Sequence, residues 1–290
     1  MMELIHEYLL EPLSYDFMQR ALLISLLIGI VCSVFSCFLI LKGWSLMGDA
    51  VSHAILPGLA AAYVIGLPLL VGAFAAGLFC ALSTGYLKNN SRVREDAVMG
   101  IVFSAMFALG LVMMTRIESD VHLLHVLFGN VLGISSSDLW QAGSIAAICS
   151  AIMLLKRRDL ALYCFDPAHA AVIGVPVKVY HFGLLVLLAL TVVSALKAAG
   201  IILVIAMLIA PGAIGFMVTR SFDRMLMVAV SASVFSCLGG TILSFHLDAA
   251  TAPLIVVIQA ILFLLALVIG KRTSHSRKGE HGSGTAATAG

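Results

Sequence analysis

Charged side chains are scarce in this chain of 290 residues. Asp, Glu, Lys and Arg together make up 11% of it, whereas 61% is hydrophobic, and the mean hydropathy is +1.10. Such a chain cannot cover a soluble domain with a polar surface, so its composition predicts a polytopic membrane protein. The net charge of only +2, with basic residues in short clusters between apolar runs, gives no reason to expect a nucleic acid partner.

Motifs of several enzyme and nucleotide sites are also missing. The six cysteines form no CxxC motif and lie in or beside apolar runs, which indicates small buried hydrophobic residues. The chain has no GxxxxGK[ST] nucleotide loop, no HExxH zinc motif and no GxSxG elbow. We therefore expect no enzymatic activity and no cofactor bound by this chain.

Long apolar runs dominate the chain, and about 20 apolar residues suffice for a helix to cross a bilayer. The runs that reach or approach this length are 21–41, 49–66, 67–87, 97–115, 139–155, 179–196, 198–218, 225–245 and 252–270. They predict an all-α fold, a polytopic transmembrane bundle of about nine helices. The number falls to eight if 49–66, which is short and interrupted by Pro57, does not cross fully.

Clusters of Lys and Arg predict the orientation of this bundle. If nine spans alternate, one side holds Lys42, 88–94, 156–178, 220–224 and 271–278, and the other holds Arg20, Arg116 and Lys197. The positive-inside rule makes the richer side cytoplasmic. We therefore expect an external N-terminus and a cytoplasmic C-terminus.

These patterns divide the chain into three parts. Residues 1–20 are polar and acidic and lack the basic leader of a cleavable signal peptide, so we expect them to be retained as an external segment. This segment is either an interfacial helix over Glu3–Gln19 or a disordered terminus. Residues 21–270 form the transmembrane domain. The tail 271–290 is rich in Gly, Ser, Thr and Ala, which predicts a disordered cytoplasmic segment.

The candidate site is an acid and an imidazole at the start of the run 49–66. In a helix, Asp49 and His53 lie on one face, close enough to share a proton or a divalent cation. Pro57 has no N–H for the carbonyl of His53, which would leave that oxygen free beside the imidazole. Ionisable residues at membrane depth are costly and favour a functional role. The alternative is structural, with Asp49 as a helix cap and His53 as a buried hydrogen-bonded side chain.

Other ionisable residues are weaker candidates. The stretch between the fourth and fifth spans contains His122 and His125 near two acids, which could catch a cation or belong to a solvated docking loop. His246 and Asp248 lie in the turn after the eighth span. In the seventh span, Pro211 would free a backbone carbonyl and permit a kink.

The longest loop on the expected cytoplasmic side is 156–178. Within it, residues 165–177 read FDPAHAAVIGVPV, with an Asp-Pro start, a helix-favouring stretch over Ala168–Val172 and a stop at Gly174 and Pro176. A short helix on the membrane surface between two spans could receive force from a soluble partner. A plain amphipathic connector is the alternative.

Five sequence blocks together resemble a known family. In chain order they are SLMGDAVSHAILPG, REDAVMGIVFSAMFALG, HVLFGNVLGISSSDL, FDPAHAAVIGV and AAGIILVIAMLIAPGAIG. They resemble the membrane permeases of bacterial ATP-binding-cassette importers for manganese, zinc and iron. The segment AHAAVIGV is also similar to the cytoplasmic coupling loop of the related cobalamin and siderophore importers, so the resemblance implies a related permease fold.

The resemblance implies an assembly in the bacterial inner membrane. Its other parts would be a second permease copy or a similar subunit, two ATPase subunits inside and a metal-binding receptor outside. Asp49 and His53 match the Asp and His that line the translocation path in that family. The implied ATPase contact falls on Asp166, Pro167, Ala168, His169, Ala170, Ala171, Gly174 and Val175.

Ligand chemistry favours Mn(II) or Fe(II) as the substrate, with Zn(II) the nearest competitor. The first two ions accept mixed oxygen and nitrogen ligands, whereas structural zinc sites prefer Cys and His in closed tetrahedral geometry. A sparse Asp and His site would hold an ion weakly enough to release it. The alternative function is an ATP-independent secondary transporter or channel, which the lack of a visible inverted repeat disfavours.

Overall fold

The computed structural model describes residues 14–117 and 135–283. The side chains it leaves out within these ranges are those of Asn89, Glu95, Asp96, Lys197 and 270–283. The predictions for residues 1–13, for His122 and His125, and for residues 284–290 lie outside the described residues.

The described ranges form twelve α-helices, numbered here in chain order. They are α1 (Asp16–Lys42), α2 (Met47–Ala54), α3 (Leu56–Ile65), α4 (Leu69–Asn90), α5 (Glu95–Arg116), α6 (Ser136–Leu155), α7 (Arg157–Phe165), α8 (Pro167–Val172), α9 (Val177–Ala199), α10 (Ile201–Val218), α11 (Phe222–Leu247) and α12 (Thr251–Ser283). The long helices carry apolar residues on all their faces, as expected for helices in a membrane. A helical backbone also satisfies its own polar groups, which lipid cannot do.

Nine segments within these ranges are long and apolar enough to cross a membrane. They are α1, α2 with α3, α4, α5, α6, α9, α10, α11 and the part of α12 up to Ile269. The predicted all-α bundle is therefore confirmed, with nine candidate spans rather than eight. The interrupted stretch forms one of them, Met47–Ile65, as two helices in succession.

Two helix ends differ from the predictions. α1 begins at Asp16, so residues 16–20 belong to the first membrane helix rather than to a separate interfacial segment. An acid in the first turn suits the positive end of the helix dipole. α12 continues to Ser283, so the backbone of 271–283 is helical where the composition predicts disorder. Extending an existing helix adds a hydrogen bond per residue without a new nucleation step, which hydropathy does not detect.

α1 is the central helix of the bundle. It packs against α6, α10 and α11, and it buries Phe35, Phe38 and Leu39 completely. Lipid supplies little hydrophobic force between helices, so close packing and hydrogen bonds between helices hold such a bundle together. Gly29 shows the close fit, because a Cβ there would lie 2.7 Å from Ser233 Oγ on α11.

A polar contact joins two of the Lys- and Arg-rich segments, 156–178 and 220–224, at one end of the bundle, here called the basic end. Arg157 Nε at the start of α7 lies 3.5 Å from Asp223 Oδ1 at the start of α11. At the other end of α11, the ring of Phe245 lies 5.7 Å from that of Tyr15, which precedes α1. α1 therefore runs from the opposite end of the bundle to the basic end.

Pro211 lies inside α10, and a side chain from α1 bridges the helix there. The Ser36 hydroxyl accepts the N–H of Gly212 at 2.9 Å and donates to the carbonyl of Ile209 at 3.0 Å. Ser36 comes so close that a Cβ at position 212 would lie 2.5 Å from its Oγ. Gly212 is thus needed for this close approach of α1 and α10.

Candidate functional site

Asp49 and His53 lie one turn apart on α2, and their side chains are in contact. His53 Nε2 is 3.2 Å from Asp49 Oδ1. The side chains of His53 and Asp49 are 31% and 29% exposed, so the pair reaches the surface of this single chain. The N-cap of α2 is Leu46, without a side-chain cap hydrogen bond from the described residues. Asp49 therefore contacts His53 instead of capping α2, which disfavours the structural alternative for the acid.

Two aromatic rings from α5 hold the imidazole of His53. Phe103 stacks on it with 6.0 Å between ring centroids, and Phe107 meets it edge-on at 5.3 Å. His53 Nδ1 is buried and has no hydrogen-bond partner among the described residues. The tautomer with its proton on Nε2 would donate to Asp49 and keep a lone pair on Nδ1. A carboxylate that orients an imidazole in this way is a common arrangement beside metal-binding histidines.

The pair alone provides too few ligands for a stable metal site. Mn(II) favours octahedral coordination by oxygen-rich ligand sets. Residues 14–117 and 135–283 contain no group of three or more His, Cys, Asp or Glu that could hold a metal ion. An ion at Asp49 and His53 would therefore need water or groups from outside these ranges to complete its coordination.

Small residues on α2 fix its position against α10. A Cβ on Gly48 would lie 2.6 Å from Leu208 Cδ1, so the two helices are in close contact there. The hydroxyl of Ser52 is fully buried and donates to the carbonyl of Gly48 at 2.7 Å. Ser52 is thus bonded within its own helix and is a packing residue rather than a metal ligand.

The helix break after the pair involves the proline that the sequence singled out. Pro57 lies in the first turn of α3 and cannot donate to the carbonyl of His53. The N–H of Ile55 at the break is only two residues from that carbonyl, which is too near along the chain for a hydrogen bond of normal geometry. A free oxygen beside the imidazole therefore stays a prediction.

The weaker candidates His246 and Asp248 lie at the opposite end of the bundle. His246 is in the last turn of α11 and Asp248 is its C-cap, in the left-handed region with φ of 48°. Both are exposed. α2 instead follows directly after the basic end of α1, so the structure does not bring these residues together with Asp49 and His53.

The loop at the basic end contains the short helix that its sequence predicts. α8 covers Pro167–Val172, and Asp166 caps it by accepting the N–H groups of Ala168 and His169 at 3.0 Å each. Ala170 is buried on the inner side of α8. This cap fixes the start of α8 directly after α7.

Large apolar side chains around α8 point away from the bundle. Phe165 is 80% exposed, Val172 is 84% exposed and Ile173 is 56% exposed. α7 by contrast buries Leu160 and Tyr163 against the rest of the protein. The basic end therefore presents exposed apolar side chains on α7 and α8, and the buried side of α7 packs against the rest of the protein.

Sequence reasoning missed a cluster of side chains at the basic end. The ammonium of Lys42 lies 4.2 Å from the centroid of the Tyr163 ring, and the Tyr163 hydroxyl is 2.8 Å from His181 Nδ1. Trp44 lies edge-on to His181, with 5.4 Å between centroids. Next to this cluster, burial raises the pKa of the Cys164 thiol to about 12, although Lys42 acts in the opposite direction. Lys42 and Trp44 flank the Asp49 block in the sequence, but His181 carries no local signal.

An all-helical bundle with an acid–imidazole pair in a broken span and a capped helix on its basic end has the architecture of a transport permease. The family model of the ABC 3 transport family matches residues 14–270. The chain therefore belongs to this family and is a membrane subunit of an ATP-binding-cassette importer, a permease without catalytic activity of its own. This membership decides against the ATP-independent transporter or channel.

The similarity to relatives with assigned transport roles covers almost the whole chain. YfeD, a chelated iron transport system membrane protein of Yersinia pestis, is 59% identical over 267 residues, 92% of this chain and 90% of YfeD. MntB, a manganese transport system membrane protein of Synechocystis, is 52% identical over 264 residues, 90% of this chain and 85% of MntB.

Two solved structures have a similar fold. PsaBC from Streptococcus pneumoniae, in complex with Fab, matches with a TM-score of 0.80 and 34% identity over 90% of this chain and 95% of that one. A metal-chelate type ABC transporter in an inward-facing conformation matches with a TM-score of 0.66 and 19% identity over 86% of this chain and 85% of that one. The second likeness concerns the fold alone.

Proposed function

We propose that this chain moves Mn(II) or Fe(II) into the bacterial cytoplasm as the permease subunit of its importer, with Zn(II) a less favoured substrate. The chelated iron and manganese systems to which YfeD and MntB belong support this choice of ions. The ion is a substrate that passes through the protein. ATP binds to the partner ATPase subunits, because the sequence has no nucleotide loop.

Asp49 and His53 are the proposed ligands on the translocation path. The observation that carries this proposal is the 3.2 Å contact between an acid and an imidazole inside a broken span. One oxygen and one nitrogen ligand suit Mn(II) and Fe(II), and so small a set would release the ion readily. The pair then acts as a gate or a transient ligand set rather than as a storage site.

A second permease subunit is proposed to cover this pair. Ionisable side chains exposed to lipid are costly, and Asp49 and His53 are each close to one-third exposed in the single chain. A two-fold arrangement would place the Asp and His of a second copy, or of a similar subunit, opposite the first. Four protein ligands would then meet the ion between the subunits.

The outer surface of α8 is the proposed contact with an ATPase subunit. Exposed apolar patches on a protein mark interaction sites, and Phe165, Val172 and Ile173 form one here. The basic end is then cytoplasmic, in agreement with the positive-inside rule. The external metal-binding receptor would dock at the opposite end, where His246 and Asp248 are proposed as weak first contacts for the ion.

Uptake of radioactive Mn(II) by proteoliposomes that contain the permease and its ATPase, with the metal-binding receptor supplied, tests this function. We expect Asp49→Asn and His53→Gln to abolish most ATP-driven uptake, because each removes one ligand without a large change in volume. The matched control is Asp16→Asn, which removes an exposed carboxylate from the first turn of α1. Uptake at the wild-type rate in both site variants would reject the assigned path. His246→Gln and Asp248→Asn in the same assay should raise only the Mn(II) concentration needed for half-maximal uptake.

A further inference from the structure

The cluster missed by sequence reasoning joins four segments of the chain at the basic end. Lys42 ends α1, Trp44 lies in the turn before α2, Tyr163 is on α7 and His181 is on α9. These four residues are called the Tyr163 cluster below. Tyr163 is its centre, because its ring lies beneath Lys42 and its hydroxyl bonds His181.

The cluster is packed tightly enough to transmit movement. Tyr163 is 2% exposed and Trp44 is 3% exposed. The ring of His181 lies between them, 5.4 Å from Trp44 and 6.4 Å from Tyr163 between centroids. Close-packed protein interiors deform little, so a shift of one ring displaces its neighbours.

One side of the cluster leads directly to the candidate metal ligands. The carbonyl of Trp44 accepts the N–H of Met47 at 3.0 Å, and Met47 is the first residue of α2. Asp49 lies in the first turn of the same helix. A displacement of Trp44 therefore moves the start of α2 and, with it, the acid of the pair.

The other side of the cluster leads to the proposed ATPase contact. Tyr163 lies two residues before Phe165, the exposed end of α7, and Asp166 then caps α8. α7 and α8 pack against each other, and α7 also packs against α1. A force on α8 thus reaches Tyr163 through a short, capped connection.

We infer that Tyr163 and His181 are positioning residues that couple the movement of α7 and α8 to α2, so that ATP hydrolysis by the partner moves Asp49 and His53. This inference rests on the proposed function. It assigns the Lys42, Trp44, Tyr163 and His181 contacts a role in coupling, because they join α1, α7 and α9 to the turn before α2.

The chain contains a matched control for the central hydrogen bond. Tyr180 of α9 donates to Asp159 Oδ2 of α7 at 2.8 Å, so it links the same two helices through the same functional group. Tyr180 and Asp159 are half-buried, whereas Tyr163 is enclosed between Lys42 and His181. Tyr163→Phe and Tyr180→Phe each remove one hydroxyl and keep the ring.

The first measurement is the ratio of ATP hydrolysed to Mn(II) transported by the reconstituted complex. We expect Tyr163→Phe to raise this ratio several-fold while ATP hydrolysis continues, and Tyr180→Phe to leave it at the wild-type value. Trp44→Phe should raise it as well. Since the indole Nε1 has no hydrogen-bond partner in the part of the chain that is described, this change tests the packing of the ring alone. Equal ratios in Tyr163→Phe and wild type would overturn the inference.

The second measurement requires no metal, so it separates this inference from the proposed function. Spin labels at Leu46→Cys and Arg158→Cys, both exposed, report the distance between the start of α2 and α7. We expect one narrow distance in the complex, with and without ATP, because the two helices move together. In Tyr163→Phe the distance should broaden or change between nucleotide states. A distribution as narrow as in the wild type would overturn the coupling even if transport is impaired.

Discussion

Ser36 shows how a single hydroxyl can stabilise a membrane helix at a proline. Its oxygen accepts the N–H of Gly212 and its proton goes to the carbonyl of Ile209, so one side chain of α1 bonds α10 on both sides of Pro211. Ser36 is fully buried. No water from the membrane surface can replace these two bonds, and close packing against Gly212 depends on the small side chain.

We therefore expect Ser36→Ala to destabilise the protein by about 1–2 kcal/mol, since hydrogen bonds between membrane helices contribute about 0.6 kcal/mol on average and an unsatisfied buried group costs more. Thermal unfolding in detergent measures this effect. Ser33→Ala is the matched control. Ser33 is equally buried on α1, but its hydroxyl donates to Ile30 of its own helix. Equal losses of stability in the two variants would show that the bridge to α10 contributes nothing.

Individual residues were predictable where their partners are close in sequence. Asp49 and His53 are four positions apart, and helical geometry alone brings them together. Ser36 and Gly212 come from different spans, and the contact of Tyr163 with His181 links a loop helix to the next span. Hydropathy and local motifs carry no information on how spans face one another, so such contacts could not be predicted.

The close packing of α3 against α4 depends on one glycine from each helix. A Cβ on Gly58 would overlap the carbonyl oxygen of Gly72, and a Cβ on Gly72 would overlap that of Gly58. The two backbones thus touch directly, as occurs where small residues line a helix interface in membranes. This contact fixes α3, the second half of the broken span, against α4.

We expect Gly58→Ala to lower the free energy of unfolding by about 1–3 kcal/mol, the usual range for overpacking. Rigid backbone rather than a flexible side chain blocks the new methyl group. Yield and thermal stability of the purified protein measure the loss. Gly183→Ala on α9 is the control, since a Cβ there meets nothing within 4 Å in the described structure. Its stability should equal or slightly exceed that of the wild type, because Ala favours helix more than Gly does. A Gly58→Ala variant as stable as Gly183→Ala would contradict the close contact.

At the scale of whole helices, apolar length predicted the spans well but not their ends. Each of the predicted runs falls within one of the nine candidate spans or overlaps it closely. The misplaced ends are those at Asp16 and Ser283, where a helix continues into polar sequence. Hydropathy measures the fit of a segment to the bilayer core, whereas helix ends depend on capping and on propagation beyond that core.

At the scale of the whole molecule, the single chain exposes part of an ionisable pair, which no other described residue covers. The exposed part of the Asp49 and His53 pair lies beside α5, whose Phe103 and Phe107 hold the imidazole. The outer face of α5 also carries Gly100, Ser104 and Ala108 at intervals of four residues. Small residues at this spacing allow two membrane helices to approach closely. A second copy packed on α5 would cover both the small residues and the ionisable pair.

We therefore expect Ser104→Cys to form disulfide-linked dimers in membranes, because a residue close to a two-fold axis meets its own copy. The native cysteines are buried, so they do not compete in the described part of the chain. Phe235→Cys is the control. Phe235 is 62% exposed and lies on another helix, α11. Oxidation followed by non-reducing electrophoresis gives the yield of dimer for each variant. A higher yield for Phe235→Cys would place the subunit contact on α11 and leave Asp49 and His53 without the proposed cover.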